Sequence, residues 1–324
     1  MNILLVGGAG YLGGALTDIL ADSDHDVLVY DLLLYEETYR KDVPFVRGDV
    51  REYEKLQKYL DWADVVVWLA ALVGDPACAL NEQLTMDVNR HALQYMRDHF
   101  DGRILNLSSC SVYGAGDEIL DENSDLQPLS LYAKTKIWSE QILDGANSIS
   151  FRLGTLYGLS DAHARIRFDL VVNTLVMRAI LHGKMSVFGG AQYRPLLHVR
   201  DVAKTLAENL TTAQTGVYNL HAENMTILEV AERVGKAVRG AIIERSDVKF
   251  QDSRNYRVSS EKARREIGFE PLLRVDDGIR ELKTLLEDGR VSDSFTSRYS
   301  NYLHLRPLLK GYESPLGRVI NVNG

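Results

Sequence analysis

Two short stretches concentrate side chains able to carry protons. LSSCSVYG, Leu107 to Gly114, leaves an apolar run and sets three serines and a cysteine ahead of a Tyr-Gly pair. YAKTK places Tyr132 four residues before Lys136 in a helical pattern, so both side chains face the same side. A free phenol, with a pKa of ~10, is a poor base at neutral pH. A nearby ammonium favours the phenolate and moves it toward usable values. Taken alone, Tyr-x-x-x-Lys is common on helix surfaces; beside a serine-rich strand exit it suggests a proton-transfer site.

A third stretch could bind a phosphate. GGAGYLG reads either as Gly8-x-Gly10-x-x-Gly13 or as Gly7-x-x-Gly10-x-x-Gly13. It follows a predicted strand and precedes a predicted helix, the context in which backbone amides can approach a pyrophosphate at a helix N-terminus. Asp31 ends the next predicted strand. Its carboxylate suits a ribose 2′-hydroxyl and would repel a 2′-phosphate, which favours NAD over NADP.

The elements needed to position these residues are legible as apolar runs. Strands are expected at 2–7, 26–31, 43–49, 63–71, 102–109 and 149–158, with helices at 11–22, 51–60, 81–98 and 130–144. Continuous apolar strands between amphipathic helices indicate a parallel sheet covered on both faces. The expected fold class is therefore α/β, a Rossmann-like doubly wound parallel sheet with a smaller mixed α/β substrate lobe. The dinucleotide-binding domain is expected over 1–158, with 197–222 returning to it. The lobe is expected over 159–196 and 223–290, with helices at 166–182, 200–210, 226–238, 259–267 and 275–288 and a short strand beginning at Met185. The tail 291–324 is weakly periodic; it could support a subunit contact or cover the pocket.

Bulk properties exclude several classes. The 324 residues are 45% hydrophobic and 25% charged, with net charge −8, which argues against a nucleic-acid-binding surface. No apolar run approaches the ~20 residues that span a bilayer, and the strand starting at residue 2 does not read as a signal peptide. Cys78 and Cys110 form neither a disulfide framework nor a metal-ligand spacing. The expectation is a cytoplasmic protein with no metal, nucleic-acid or membrane partner.

Together these motifs give the chain a resemblance to the extended short-chain dehydrogenase/reductases, specifically the NAD-dependent nucleotide-sugar epimerase/dehydratase family. The resemblance covers about residues 1–290 and also rests on GDV at 48–50, LAA at 69–71, FRLGTLYG, VFGGAQYRPLLHVRDVA and SSEKARREIGFEP. It implies that Gly7, Gly10, Tyr11, Leu12 and Gly13 hold the NAD pyrophosphate, Asp31 the adenosine ribose, and Asp49 with Val50 the adenine. It sets Ala70 and Ala71 along the cofactor and Tyr132 and Lys136 at the nicotinamide ribose. Ser109 matches the family's catalytic Ser/Thr, Arg194 the arginine that contacts a nucleotide-diphosphate sugar, and Val187 the base pocket. Ser111, Asn173 and Arg254 are further candidate substrate contacts. A homodimer is the family expectation.

Family 4,6-dehydratases carry an acid pair after the catalytic Ser/Thr, because eliminating water needs a base and an acid. Here Cys110 and Ser111 stand at those positions, which disfavours dehydration. Cys110 is either a proton carrier or a small core residue. Trp68 stands where the family often has His, and Thr155 where it often has Asn. His198 and Asp201 are expected to cap and position the following helix. The reading is an NAD-dependent epimerase acting at C4 through a 4-keto sugar. The alternatives are a ketoreductase or dehydrogenase with exchangeable cofactor, and a non-catalytic dinucleotide-binding scaffold.

Overall fold

The computed structural model describes residues 1–309 except 164, 247–253, 292 and 295. Strand β1 (Asn2–Val6) is apolar after its first residue because both of its faces are covered. Ile3 and Leu5 pack with Leu12, Leu16 and Leu20 of the helix Tyr11–Ala21, and with Val202 and Leu206 of the helix Val199–Glu208. Leu4 and Val6 point the other way, onto Leu56, Leu60, Leu93 and Met96. This period-two division between two cores explains why continuous apolar runs mark the parallel strands.

The strands that follow are β2 (Asp26–Asp31), β3 (Phe45–Arg47), β4 (Val65–Trp68), β5 (Arg103–Ser109), β6 (Ala115–Leu120), β7 (Ser148–Leu153), β8 (Thr155–Tyr157), β9 (Lys184–Phe188), β10 (Tyr193–His198), β11 (Gly216–Leu220), β12 (Glu223–Thr226), β13 (Ile242–Ser246) and β14 (Asn255–Val258). Six of them join β1 in a seven-stranded sheet in the order β11-β7-β5-β4-β1-β2-β3, and every pairing in it is parallel. This is the expected Rossmann-like sheet. The strand order reverses between β1 and β4, where the carboxyl ends open a ligand crevice. A smaller sheet, β12-β10-β8, and two strand pairs, β13-β9 and β14-β6, lie outside it. The helices Val171–His182, Ile227–Ala237 and Val275–Glu287 share a further core with Tyr157, Met185 and Leu196. Among the described residues no helix is long and apolar enough to cross a membrane.

Three local departures from the sequence expectations have physical causes. The helix expected from residue 166 begins at Val171, because Arg167 and Asp169 pair with each other and Asp169 accepts a hydrogen bond from the Asn301 amide. The helix expected over 81–98 contains a π turn, Asp87–His91. Its Asn89 side chain bonds both the amide and the carbonyl of Leu72, at 2.8 and 2.9 Å, and so fixes the loop after β4. The tail holds a helix, Asn301–Leu309, that its composition obscured. His198 does cap the next helix, accepting from the Arg200 amide at 3.2 Å, while Asp201 accepts from Leu272 and Leu273.

A buried ion pair joins the sheet to the helix Leu131–Ile142. Arg152 of β7 meets Glu140 at 2.7 Å, both nearly buried. Removing one partner of such a pair strands the other charge. Glu140→Ala is expected to lower unfolding free energy by about 3–5 kcal/mol, and chemical denaturation of the cofactor-free protein measures it.

Candidate active site

At the carboxyl ends of the central strands lies a cavity of about 780 Å³. Its lining brings together Gly7, Gly10, Tyr11, Leu12, Gly13, Asp31, Asp49, Val50, Ala70, Ala71, Ser109, Ser111, Tyr132, Lys136, Val187, Arg194 and Arg254. Residues that are far apart in the chain thus meet around a single space. Cys110 and Asn173 are absent from that lining.

The glycine turn is built for close approach. Gly7 has φ 85°, and a Cβ there would come within 2.5 Å of the Ala70 nitrogen. A Cβ on Gly13 would sit 2.4 Å from the Gly8 carbonyl oxygen, so only glycine lets the helix start against the turn. The helix Tyr11–Ala21 has no side-chain cap and no acidic residue in its first turn. Its leading amides therefore face the cavity without a competing carboxylate, as an anionic pyrophosphate requires. The Asp31 carboxylate accepts from the Ala9 amide at 3.0 Å and the Leu33 amide at 2.7 Å. Burial pushes its pKa up against those two donors. It both fixes the turn and borders the cavity. Asp49 is gripped by Arg51, with Nη2 at 2.6 Å, and its carbonyl accepts from the Tyr30 hydroxyl at 2.9 Å. These residues fit a dinucleotide with an unphosphorylated adenosine ribose.

The serine-rich strand exit sorts its side chains by direction. Ser108 donates to Glu140 at 2.5 Å, beneath the site. Ser109 borders the cavity and accepts from the Ser111 amide at 3.2 Å. Cys110 is fully buried, and its thiol donates to the Arg152 carbonyl at 3.2 Å. The Ser111 hydroxyl is buried on the cavity wall and has no partner among the described residues. Tyr113 donates from its hydroxyl to the Asp121 carbonyl and Asn219, each at 2.8 Å, and accepts from Arg152. Two of the serines are thus offered to a ligand, while Cys110 and Tyr113 secure the loop.

Tyr132 and Lys136 share a face of the helix Leu131–Ile142, whose first turn is capped by Ser130. The Lys136 ammonium lies 5.7 Å from the Tyr132 ring centroid and donates to the Leu107 carbonyl at 2.7 Å. Burial pulls Lys136 down from 10.5 to about 8, against the opposing influence of Cys78 and Glu140. Burial likewise pushes the Tyr132 phenol above its ordinary value, Cys78 adds to this, and a hydrogen bond with Ser109 opposes it. Without added positive charge the phenol thus stays protonated. Asp75 supports this end of the site, accepting from Ser130 at 2.6 Å and pairing with Arg254 at 3.3 Å.

Two sequence expectations require correction. Cys110 does not face the cavity: its thiol is turned into the core, and burial raises its pKa far above the ordinary thiol value despite Arg152. Asn173 does not reach a substrate position either. Its amide bonds the backbone of Gly158 at 2.9 Å and of Arg167 at 2.9 Å, closing the loop after β8. The structure adds lining residues that the sequence did not single out: Arg165, Arg167, Arg178, Gln192 and the face of the helix Asn301–Leu309. The RIRFD segment carried a charge-pairing signal, since Arg167 and Asp169 meet at 2.8 Å. The tail carried almost none.

Comparison with known proteins gives the family. Residues 3–220 match the model of the NAD dependent epimerase/dehydratase family. A UDP-glucose 4-epimerase from Corynebacterium glutamicum is 25% identical over 332 residues, covering 94% of this chain and 98% of that protein. A dTDP-glucose 4,6-dehydratase from Actinoplanes sp. is 28% identical over 318 residues, covering 87% and 96%. The crystal structure of Thermus thermophilus UDP-glucose 4-epimerase in complex with NAD superposes with a TM-score of 0.77 at 25% identity, covering 90% of this chain and 100% of that one.

The buried lysine has a measurable consequence. Below about 8, Lys136 is protonated in folded and unfolded chains alike, and desolvating its charge costs stability. Between about 8 and 10.5 the folded chain loses the proton first, so stability rises with pH. Cofactor-free wild-type protein is expected to gain stability relative to Lys136→Met across that window, by at most about 3 kcal/mol. Parallel denaturation curves from pH ~7 to ~10 test this; a constant difference would contradict it.

Proposed function

The chain belongs to the NAD dependent epimerase/dehydratase family, with NAD as its cofactor, and on that premise we propose that it is a nucleotide-sugar epimerase acting at C4. The observation that carries the reading is the side-chain set around Ser109. Ser109, Tyr132 and Lys136 border one cavity with the glycine turn, while position 110 is an inward thiol and position 111 a serine. Water elimination needs a proton donor and acceptor beside the sugar. The carboxylates bordering this end, Asp75 and Asp169, are paired with Arg254 and Arg167. Burial raises the Asp169 pKa, but Arg167 outweighs it and holds the carboxyl below its ordinary value. Both acids are therefore already engaged.

Tyr132 takes the proton of the C4 hydroxyl, which Ser109 orients through a hydrogen bond. Lys136 stabilises the phenolate and would hold the nicotinamide ribose. NAD, when bound, supplies the hydride acceptor and donor and a positive charge that favours the phenolate. Gly7, Gly10, Tyr11, Leu12 and Gly13 would hold its pyrophosphate, Asp31 its adenosine ribose, Asp49 and Val50 its adenine, and Ala70 and Ala71 its length. Arg194 and Arg254 would anchor the diphosphate of the sugar nucleotide, with Val187 beside the base and Ser111 at the sugar. A 4-keto sugar held at one end can turn and be reduced on its other face, its C4 oxygen taking the proton back from the Tyr132 phenol and restoring the phenolate. In this reading the substrate lobe comprises 159–196 and 223–290, and the chain works as a homodimer, which light scattering would check.

Tyr132→Phe is expected to lower turnover by about 10²–10⁴-fold while substrate still binds. Sugar nucleotide deuterated at C4 is expected to keep its label in the product, with no NADH accumulating. Full turnover by Tyr132→Phe would overturn the assignment of the base. Stoichiometric NADH in solution would instead favour a dehydrogenase.

A further inference from the structure

The helix Asn301–Leu309 is tied to three separate walls of the cavity. Its Asn301 side chain donates to the Val73 carbonyl at 3.0 Å, in the loop after β4. The same side chain accepts from Arg165, and the Asn301 amide donates to Asp169 at 2.8 Å. His304 bonds the Leu34 carbonyl at 2.9 Å, just beyond Asp31, and its ring tilts against Tyr35 at 5.2 Å. Leu305 is buried with Leu72, Cys78 and Leu84. Tyr302, Leu305, Leu308 and Leu309 border the cavity.

The segments bridged in this way follow β2 and β4, the two strands that flank β1 and its glycine turn. A helix fastened to both lies across the side of the crevice where a dinucleotide would otherwise meet solvent. We infer that this C-terminal helix is a component of the cofactor site, forming an outer wall that retains NAD, with Asn301 as its positioning residue. Asn301 acts through Val73 and Arg165, and the apolar side chains supply the surface that faces the cofactor. The inference rests on the family's cofactor and is independent of the C4 assignment.

The test uses the full chain loaded with NADH and chased with excess NAD⁺, following the fall in bound-NADH fluorescence. Asn301→Ala is expected to release NADH about tenfold faster or more, and Asn301→Asp, which keeps the acceptor for Arg165, to fall between it and wild type. Leu308 is 45% exposed, so Leu308→Ala trims the wall without removing a hydrogen bond and should also speed release if Asn301→Ala fails to fold. Backbone amides of residues 304–306, 308 and 309 are expected to exchange more slowly when NAD is bound. Release within about twofold of wild type for the folded variants, or exchange unaffected by NAD, would overturn the inference. Faster release from a protein that epimerises no sugar nucleotide would support it while removing the C4 reading.

Discussion

The chemistry-bearing end of this protein is registered by the contact between Arg152 and Glu140. Each partner does more than neutralise the other. Glu140 accepts the Ser108 hydroxyl, while Arg152 donates to Tyr113 from its guanidinium and accepts the Cys110 thiol at its carbonyl. One ion pair thereby fixes β5, its exit loop, β7 and the helix bearing Tyr132 and Lys136. Because both charges are desolvated, their positions are defined sharply, and small displacements would be costly. The cavity-facing serines inherit that definition.

Above this base, the site is held in an electrically incomplete condition. Burial discourages both the Lys136 ammonium and the Tyr132 phenolate. In the proposed reading, the cationic ring of bound NAD would supply positive charge that favours the phenolate. In that reading, cofactor binding would change the proton affinity of Tyr132 as well as completing the cavity, which would tie the two events together. The same desolvation that weakens the empty site strengthens its electrostatic interactions once it is filled.

Much of the sheet was legible because its strands are buried on both sides and their apolar runs are unbroken. The glycine turn was legible for a different reason: Gly7 and Gly13 occupy positions a Cβ could not share. Other features had no such signature. β6 is mostly exposed and carries Asp117 and Glu118, so its pairing with β14 depends on partners 138 to 140 residues away. The direction of Cys110 is set by the local turn and the Arg152 carbonyl, neither of which is visible in residue type. Asn173 looked like a polar candidate on a helix, but its hydrogen-bonding capacity is spent on backbone. The tail helix contains Pro307 and lacks a clear apolar stripe; it is stable there because Asn301, His304 and Leu305 find partners across the cleft.

The bond between Tyr113 and Asn219 spans 106 positions, which gives the protein a history as well as a shape. During synthesis the serine-bearing loop leaves the ribosome long before β11, the edge strand that supplies Asn219 and pairs with β7. Until that strand arrives, the loop lacks one of the contacts that set its register, and the sheet has an unpaired edge. Two thirds of the chain must therefore emerge before the loop that holds Ser109 and Ser111 can be secured in its final place. A nascent chain has a glycine turn early and a finished serine-bearing loop late, an order imposed by the sheet's own connectivity.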